Sequence, residues 1–192
     1  MNNYLNFKIV GSGPSGLLLA ISLAKLNFNI YITDLLTREK LINKDKTYAI
    51  THSTRKILSK FNLWSKLKSY LYKFDSLSIS DSVTSDFTIL TTSDLDKDIC
   101  SLDTIGWVVK HSDLMNVFFD EVDKMDNIFF KSSLNLSFED INFDYKFIAT
   151  GANSNNKKNP NYLSFKKSYN HSCLTFEVLV RDNIPRRAYE IF

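Results

Sequence analysis

Hydrophobic positions along the chain change period several times, and each change marks an element. From Tyr4 to Val10 the residues are mostly apolar and the run stops at Gly11, the pattern of a buried parallel strand. From Pro14 to Leu26 the apolar spacing becomes helical, and Pro14 suits a first turn because its missing N–H has no partner to lose there. Asn27 falls in the C-cap region, and "NIYIT" (Asn29–Thr33) restarts as a strand. Strand, glycine turn, helix and strand in succession predict a βαβ unit with a right-handed crossover.

Beyond this unit the pattern is less regular. "LLTREKLINKDK" reads as a loop or ragged helix, and Ala49–Leu67 as an amphipathic helix broken near Asn62. "FDSLSISDS" and "DFTILTT" (Phe74–Thr92) alternate apolar with polar residues, which predicts half-buried antiparallel strands and an excursion into a β-rich layer. "GWVVKHSDLMNVFFDEVDKM" predicts a short strand and a helix with Ser112 as N-cap. "NIFFKSSLNLS" and "FDYKFIATG" supply two more strands, "CLTFEVLVRD" alternates again, and the sequence closes on "RRAYEIF". The expected fold class is α/β, with a β-rich second part.

Composition changes this picture little. Hydrophobic residues make up 44% and charged residues 23% of the 192 positions, ordinary values for a globular chain. The net charge of +3 is spread over scattered lysines, so no nucleic-acid partner is expected. Cys100 and Cys173 offer no disulfide framework and read as buried thiols of a reducing compartment. His52, His111 and His171 have no metal-ligand spacing, and His171 with Cys173 is too small a set, so no metal is expected. The apolar run Leu17–Leu26 is too short to span a bilayer and contains Lys25. No signal-peptide pattern precedes the first strand, which makes the cytoplasm the expected location.

Chemistry concentrates in "GSGPSG". Only five glycines occur in the chain, yet Gly11, Gly13 and Gly16 fall within six positions. In such a turn the first glycine allows the tight bend, the second lets backbone approach a pyrophosphate, and the third lets the helix pack on the strand. Gly13, Pro14 and Ser15 would line the approach at a helix N-terminus that favours an anion, and Ser12 and Ser15 could donate hydroxyls. Asp34 ends the second strand, where a carboxylate accepts from both ribose hydroxyls and disfavours a 2′-phosphate. The turn fits FAD or NAD. Its place at the start of the chain, and the small-residue strand end Ala149-Thr150-Gly151, lean toward FAD. No second glycine fingerprint for NAD(P)H accompanies it.

Several segments, in order, resemble the FAD-dependent aromatic-ring monooxygenases, and specifically the ubiquinone-biosynthesis hydroxylases. "IVGSGPSGLLLAISLAKLNFNIYITD" is similar to the family's FAD fingerprint, and "KTYAITHSTRKILSKFNLWSKL" to its segment after a basic residue. "GWVVKHSDLMNVFF", "FDYKFIATGANSNNKK" and "SYNHSCLTFEVLVRDNIPRRAYEIF" resemble later family segments. Lys46 stands where the family usually has Arg, Thr150 stands in the second glycine motif, and Asn62-Leu63-Trp64 lacks the usual glycine. The family's later Gly-Asp motif has no match.

The resemblance implies a Rossmann-like FAD-binding domain over 1–72 and 101–158, and an incomplete β-rich substrate domain over 73–100 and 159–192, with the C-terminal half missing. It implies FAD bound by Gly11, Ser12, Gly13, Pro14, Ser15, Gly16, Asp34, Lys46, Lys110 and Gly151, with no catalytic side chain to nominate. The implied reaction hydroxylates a small aromatic ring, a prenylated phenol on the way to ubiquinone, through a flavin hydroperoxide. NAD(P)H or another donor would be the reductant, and a lipid-tailed substrate would call for peripheral access to a membrane or a biosynthetic complex. An FAD-dependent reductase of isoprenoid chains, a non-catalytic FAD-binding remnant and an NAD-dependent dehydrogenase remain alternatives.

Overall fold

In a computed structural model, residues 5–95, 103–132, 138, 140–151 and 186–191 are described. Cys100, Cys173, His171, the "CLTFEVLVRD" strand and the segment after Gly151 lie outside the described residues.

The first sheet is parallel. It contains β1 (Asn6–Val10), β2 (Asn29–Asp34), β8 (Ile128–Ser132) and β9 (Tyr145–Ile148) in the order β8-β2-β1-β9. Register runs Ile9↔Ile32 and Ile9↔Phe147, so β1 is central and both its edges are hydrogen-bonded. Its alternating inward residues, Phe7 and Ile9, pack with Ile30 and Ile32 of β2. Helix α1 (Pro14–Ala24) covers this face through Leu17, Ala20 and Ile21, all fully buried. Helix α5 (His111–Val122) packs beside it with Met115, Phe118 and Phe119. An aromatic cluster lies elsewhere on the sheet: Tyr31 stacks on Phe129 at 4.9 Å between centroids and meets the edges of Phe138 and Phe143.

Among the described residues, two small sheets accompany the parallel one. In one, β7 (Gly106–Lys110) lies between β3 (Thr47–Ile50) and β4 (Tyr72–Phe74), all antiparallel. In the other, β5 (Ser76–Ser80) pairs antiparallel with β6 (Phe87–Thr91) and parallel with β10 (Arg187–Ile191). "SLSIS" and "FTILT" form the predicted antiparallel pair, but the expected half-burial fails in β6, an edge strand exposed at four of its five positions.

The helical regions differ from the sequence reading in two places. The predicted helix Ala49–Leu67 starts later, because Ala49 and Ile50 are strand residues paired with Val108 and Trp107. The helix proper is α3 (His52–Lys60), with Thr51 as N-cap, followed by α4 (Trp64–Leu67). The break at Asn62 is real: its φ is +60°, a left-handed conformation that asparagine tolerates. Ser112 is not the cap of α5. The helix begins at His111, whose N–H donates to Lys46 O at 2.8 Å and whose ring is held by Tyr48 and Leu41, so strand passes into helix at Lys110. The "TREKLI" stretch forms the short helix α2 (Arg38–Ile42), capped by Thr37.

Candidate dinucleotide site

The strand order places a crossover reversal at β1. From β1 the chain passes to β2 and then β8 on one side, while β9 lies on the other. Ligands of open parallel sheets bind outside the carboxyl ends of the strands at such a reversal. Here those ends carry "GSGPSG" after β1 and Ala149-Thr150-Gly151 after β9, and the two segments touch. Ala149 N–H donates to Val10 O at 2.7 Å, and a Cβ added to Gly11 would lie 2.5 Å from Ala149 O.

The three glycines of the turn are required for different reasons. Gly11 has φ +103°, and a side chain there would strike the backbone of Ala149 and Thr150 just after β9. A Cβ on Gly16 would lie 2.1 Å from Gly11 O, so the third glycine permits the helix to pack on the turn. Gly13 differs from both. Its φ is −66°, and an added Cβ would meet no atom within 4 Å. The described residues supply no steric reason for glycine at 13; an approaching ligand would.

The start of α1 is also open to an anion. No side chain caps it, its first turn has no acidic residue, and its first internal bond runs from Leu17 N–H to Gly13 O at 3.0 Å. The N–H groups of Ser15 and Gly16 therefore precede the internal ladder at the positive end of the helix dipole. By contrast, α2 and α3 begin with threonine hydroxyls that accept backbone N–H bonds.

Asp34 is fixed by the same turn. Its Oδ2 accepts from Ser12 N–H at 2.7 Å and Ser12 Oγ–H at 2.8 Å, and its Oδ1 accepts from Leu36 N–H at 2.9 Å. Ser12 is fully buried, so in this structure its hydroxyl orients the carboxylate rather than lining open space. Both residues are legible in the sequence, but their bond is not. Adjacent parallel strands in the βαβ pattern were the available signal. Ser15 is exposed, Pro14 half-buried, and Gly151 exposed with φ +73°.

Lys110 ends β7 and Lys46 stands just before β3, so both lie beside the second sheet rather than at the turn. The pairing Thr47↔Lys110 and the bond from His111 N–H to Lys46 O bring their backbones to one end of β3 and β7, with both side chains exposed. Behind them, His111 Nε2–H donates to Leu41 O at 2.6 Å and Nδ1 accepts from Tyr48 Oη at 2.8 Å. Burial pushes the His111 pKa below its ordinary 6.5; the bond to Leu41 opposes this, and the charges of Lys44 and Lys46 add to it. Burial raises the Tyr48 phenol. No group of potential metal ligands occurs among the described residues, and no helix there is long and apolar enough to cross a membrane.

A parallel sheet with a glycine turn at its reversal and an acid closing the second strand defines a dinucleotide-binding α/β fold. Solved structures share this fold. A four-substitution mutant of PqsL of Pseudomonas aeruginosa, described as a probable FAD-dependent monooxygenase, superposes with TM-score 0.55 at 12% identity, over 68% of this chain and 34% of PqsL. The p-nitrophenol 4-monooxygenase PnpA of Pseudomonas putida gives 0.54 at 17% identity, over 69% of this chain and 32% of its own. The tetrameric 2-methyl-3-hydroxypyridine-5-carboxylic acid oxygenase also gives 0.54, at 10% identity, over 68% and 32%. PqsL has also been solved with 2-aminobenzoylacetate. The chain shares part of the fold of these monooxygenases and spans about a third of their length. An uncharacterised protein of Synechocystis sp. is 32% identical over 80 residues, 42% of this chain and 19% of that protein. No protein-family model matches the chain.

Proposed function

We propose that the chain is the cofactor-binding part of an FAD-dependent aromatic monooxygenase, and that "GSGPSG" receives the pyrophosphate of FAD. The observation that carries this reading is Gly13, a glycine with open space where the fold needs none, set at an uncapped helix start. In this reading the Ser15 and Gly16 N–H groups hold the phosphate oxygens. Asp34, oriented by Ser12, accepts from the adenosine ribose hydroxyls and rejects a 2′-phosphate. Gly11 and Gly16 set the turn, Pro14 starts the helix without an N–H to satisfy, and Gly151 keeps the β9 end free of a side chain. Lys46 and Lys110 contribute positive charge on the flavin side.

Bound FAD would supply the oxygen-activating chemistry, with the protein orienting cofactor and ring and excluding water. NAD(P)H or another donor would serve as reductant. The monooxygenase fold and the aromatic ligand of PqsL support a small aromatic substrate. A prenylated phenol of ubiquinone biosynthesis, reached at a membrane surface, is the finer form of the proposal and rests on the sequence resemblance. We assign 1–72 and 101–158 to the cofactor domain, and 73–100 and 159–192 to the start of a substrate domain. The pairing of β10 with β5, whose other edge carries β6, supports that division.

The test is cofactor titration of the wild type and Gly13→Val, followed by flavin fluorescence and thermal unfolding. Gly13→Val is expected to lower the unfolding temperature only slightly, through loss of a glycine N-cap, and to weaken FAD at least about tenfold. Equal FAD affinity in both proteins, or NAD bound in place of FAD, would overturn the reading.

A further inference from the structure

Away from the glycine turn, the molecule has an open groove of about 480 Å³ lined by Arg55, Trp64, Ser65, Lys68, Leu71, Lys73 and Trp107. Its lining joins two indoles and a leucine to three cations, with no carboxylate among them. The elements explain the convergence. Trp107 on β7 and Lys73 on β4 are register partners and lie side by side on the small sheet. Trp64 opens α4, and Lys68 follows four positions later, at the start of a short 3-10 turn (Lys68–Tyr70). Arg55 reaches over from α3, its Cζ 5.6 Å from both indole centroids, and the indoles meet edge to face at 4.7 Å and 77°.

None of the groove's lining residues belongs to the glycine turn or to the strand ends of β1 and β9. Lys66, also on α4, and Lys25, just past the C-terminal end of α1, both pair with Glu121. The 11 residues of α1 at 1.5 Å each separate that end from Gly13 by about 16 Å. Among the described residues no ion pair engages Arg55, Lys68 or Lys73. The cations are therefore available to an anion, while the indole walls and Leu71 favour an apolar planar body. Concave sites of a few hundred Å³, mostly apolar with a few convergent charges, are typical of small-ligand sites. Arginine matches a carboxylate with a two-pronged fork, and lysine adds point charge.

We propose that this groove binds a small planar aromatic carboxylate, at a second site separate from the cofactor turn. The carboxylate lies among Arg55, Lys68 and Lys73, and the ring lies against Trp64 and Leu71. This site does not depend on FAD occupying the turn.

Trp64 and Trp107 are the chain's two tryptophans, so intrinsic fluorescence reports on this groove. The 192-residue chain would be titrated with 2-naphthoate, with neutral 2-naphthylmethanol, and with inorganic phosphate, in the absence and presence of FAD. The expected result is saturable quenching by 2-naphthoate, weakened about tenfold or more for the neutral alcohol, and unaffected by phosphate or FAD. Lys68→Gln and Lys73→Gln, both at exposed positions, should each weaken 2-naphthoate several-fold while leaving far-UV circular dichroism unchanged. Equal binding of acid and alcohol, displacement by phosphate alone, displacement by FAD, unaltered affinity in both lysine variants, or no saturable quenching would each overturn the proposal. Loss of FAD binding with retained 2-naphthoate quenching would count against the cofactor reading alone.

Discussion

At the scale of single residues, a few side chains carry defined and separable roles. Gly16 is structural: an added methyl group would need to displace the Gly11 carbonyl. Gly16→Ala is expected to destabilise the fold by about 3 kcal/mol, since overpacking against backbone has little room to relax. A urea titration measures it, and a midpoint equal to wild type would contradict the contact. Ser12→Ala should act differently. It removes the hydroxyl bond to Asp34 but leaves the backbone bond, so stability should fall by about 1 kcal/mol. Its FAD affinity should fall less than that of Asp34→Ala, which removes the ribose acceptor itself. Isothermal titration of the two variants side by side would decide the order.

Two of the polar contacts that join elements are titratable. His111 joins the start of α5 to Leu41 of α2 and Tyr48 of β3. Its folded form resists protonation, whereas an unfolded histidine takes a proton near pH 6.5. Its contribution to stability is therefore complete above that pH and is lost as the pH falls through the lowered folded value. Urea midpoints should drop between about pH 7 and pH 5, and His111→Gln should show a shallower drop. Identical slopes would remove His111 as the cause.

The second contact is Glu121, whose side chain is 9% exposed and pairs with Lys25 and Lys66. Burial raises its pKa, but hydrogen bonds from Lys66 and Lys25 and their charges outweigh this and leave it below its ordinary value. Glu121→Gln leaves two lysines facing one another between α1, α4 and α5. We expect a loss of about 1–3 kcal/mol, less than for a fully buried pair because both lysines are partly exposed. Chemical denaturation at neutral pH measures it.

Across the whole molecule, protection is uneven. The central strands β1 and β2 are hydrogen-bonded on both edges and covered by α1 and α5, while β6 is an edge strand with mostly exposed residues. Amide exchange should be slowest in β1 and β2 and much faster in β6. Uniform protection across the sheets would contradict this hierarchy.

What the sequence determined was local. Glycine scarcity with three glycines in one turn, helical spacing after Pro14, and Asp34 closing a strand defined the βαβ unit before any coordinates. Short-range periodicity also gave the β5–β6 pair and the break at Asn62. Tertiary structure decided what sequence-distant residues did together. The strand order that brings Ala149 against Gly11, the displacement of the α5 cap from Ser112 by the bonds of His111, and the meeting of Arg55, Trp64 and Trp107 all depend on contacts across dozens of positions. Period and propensity encode which face of an element is apolar. They do not encode which neighbour will cover it, and that choice is made by packing.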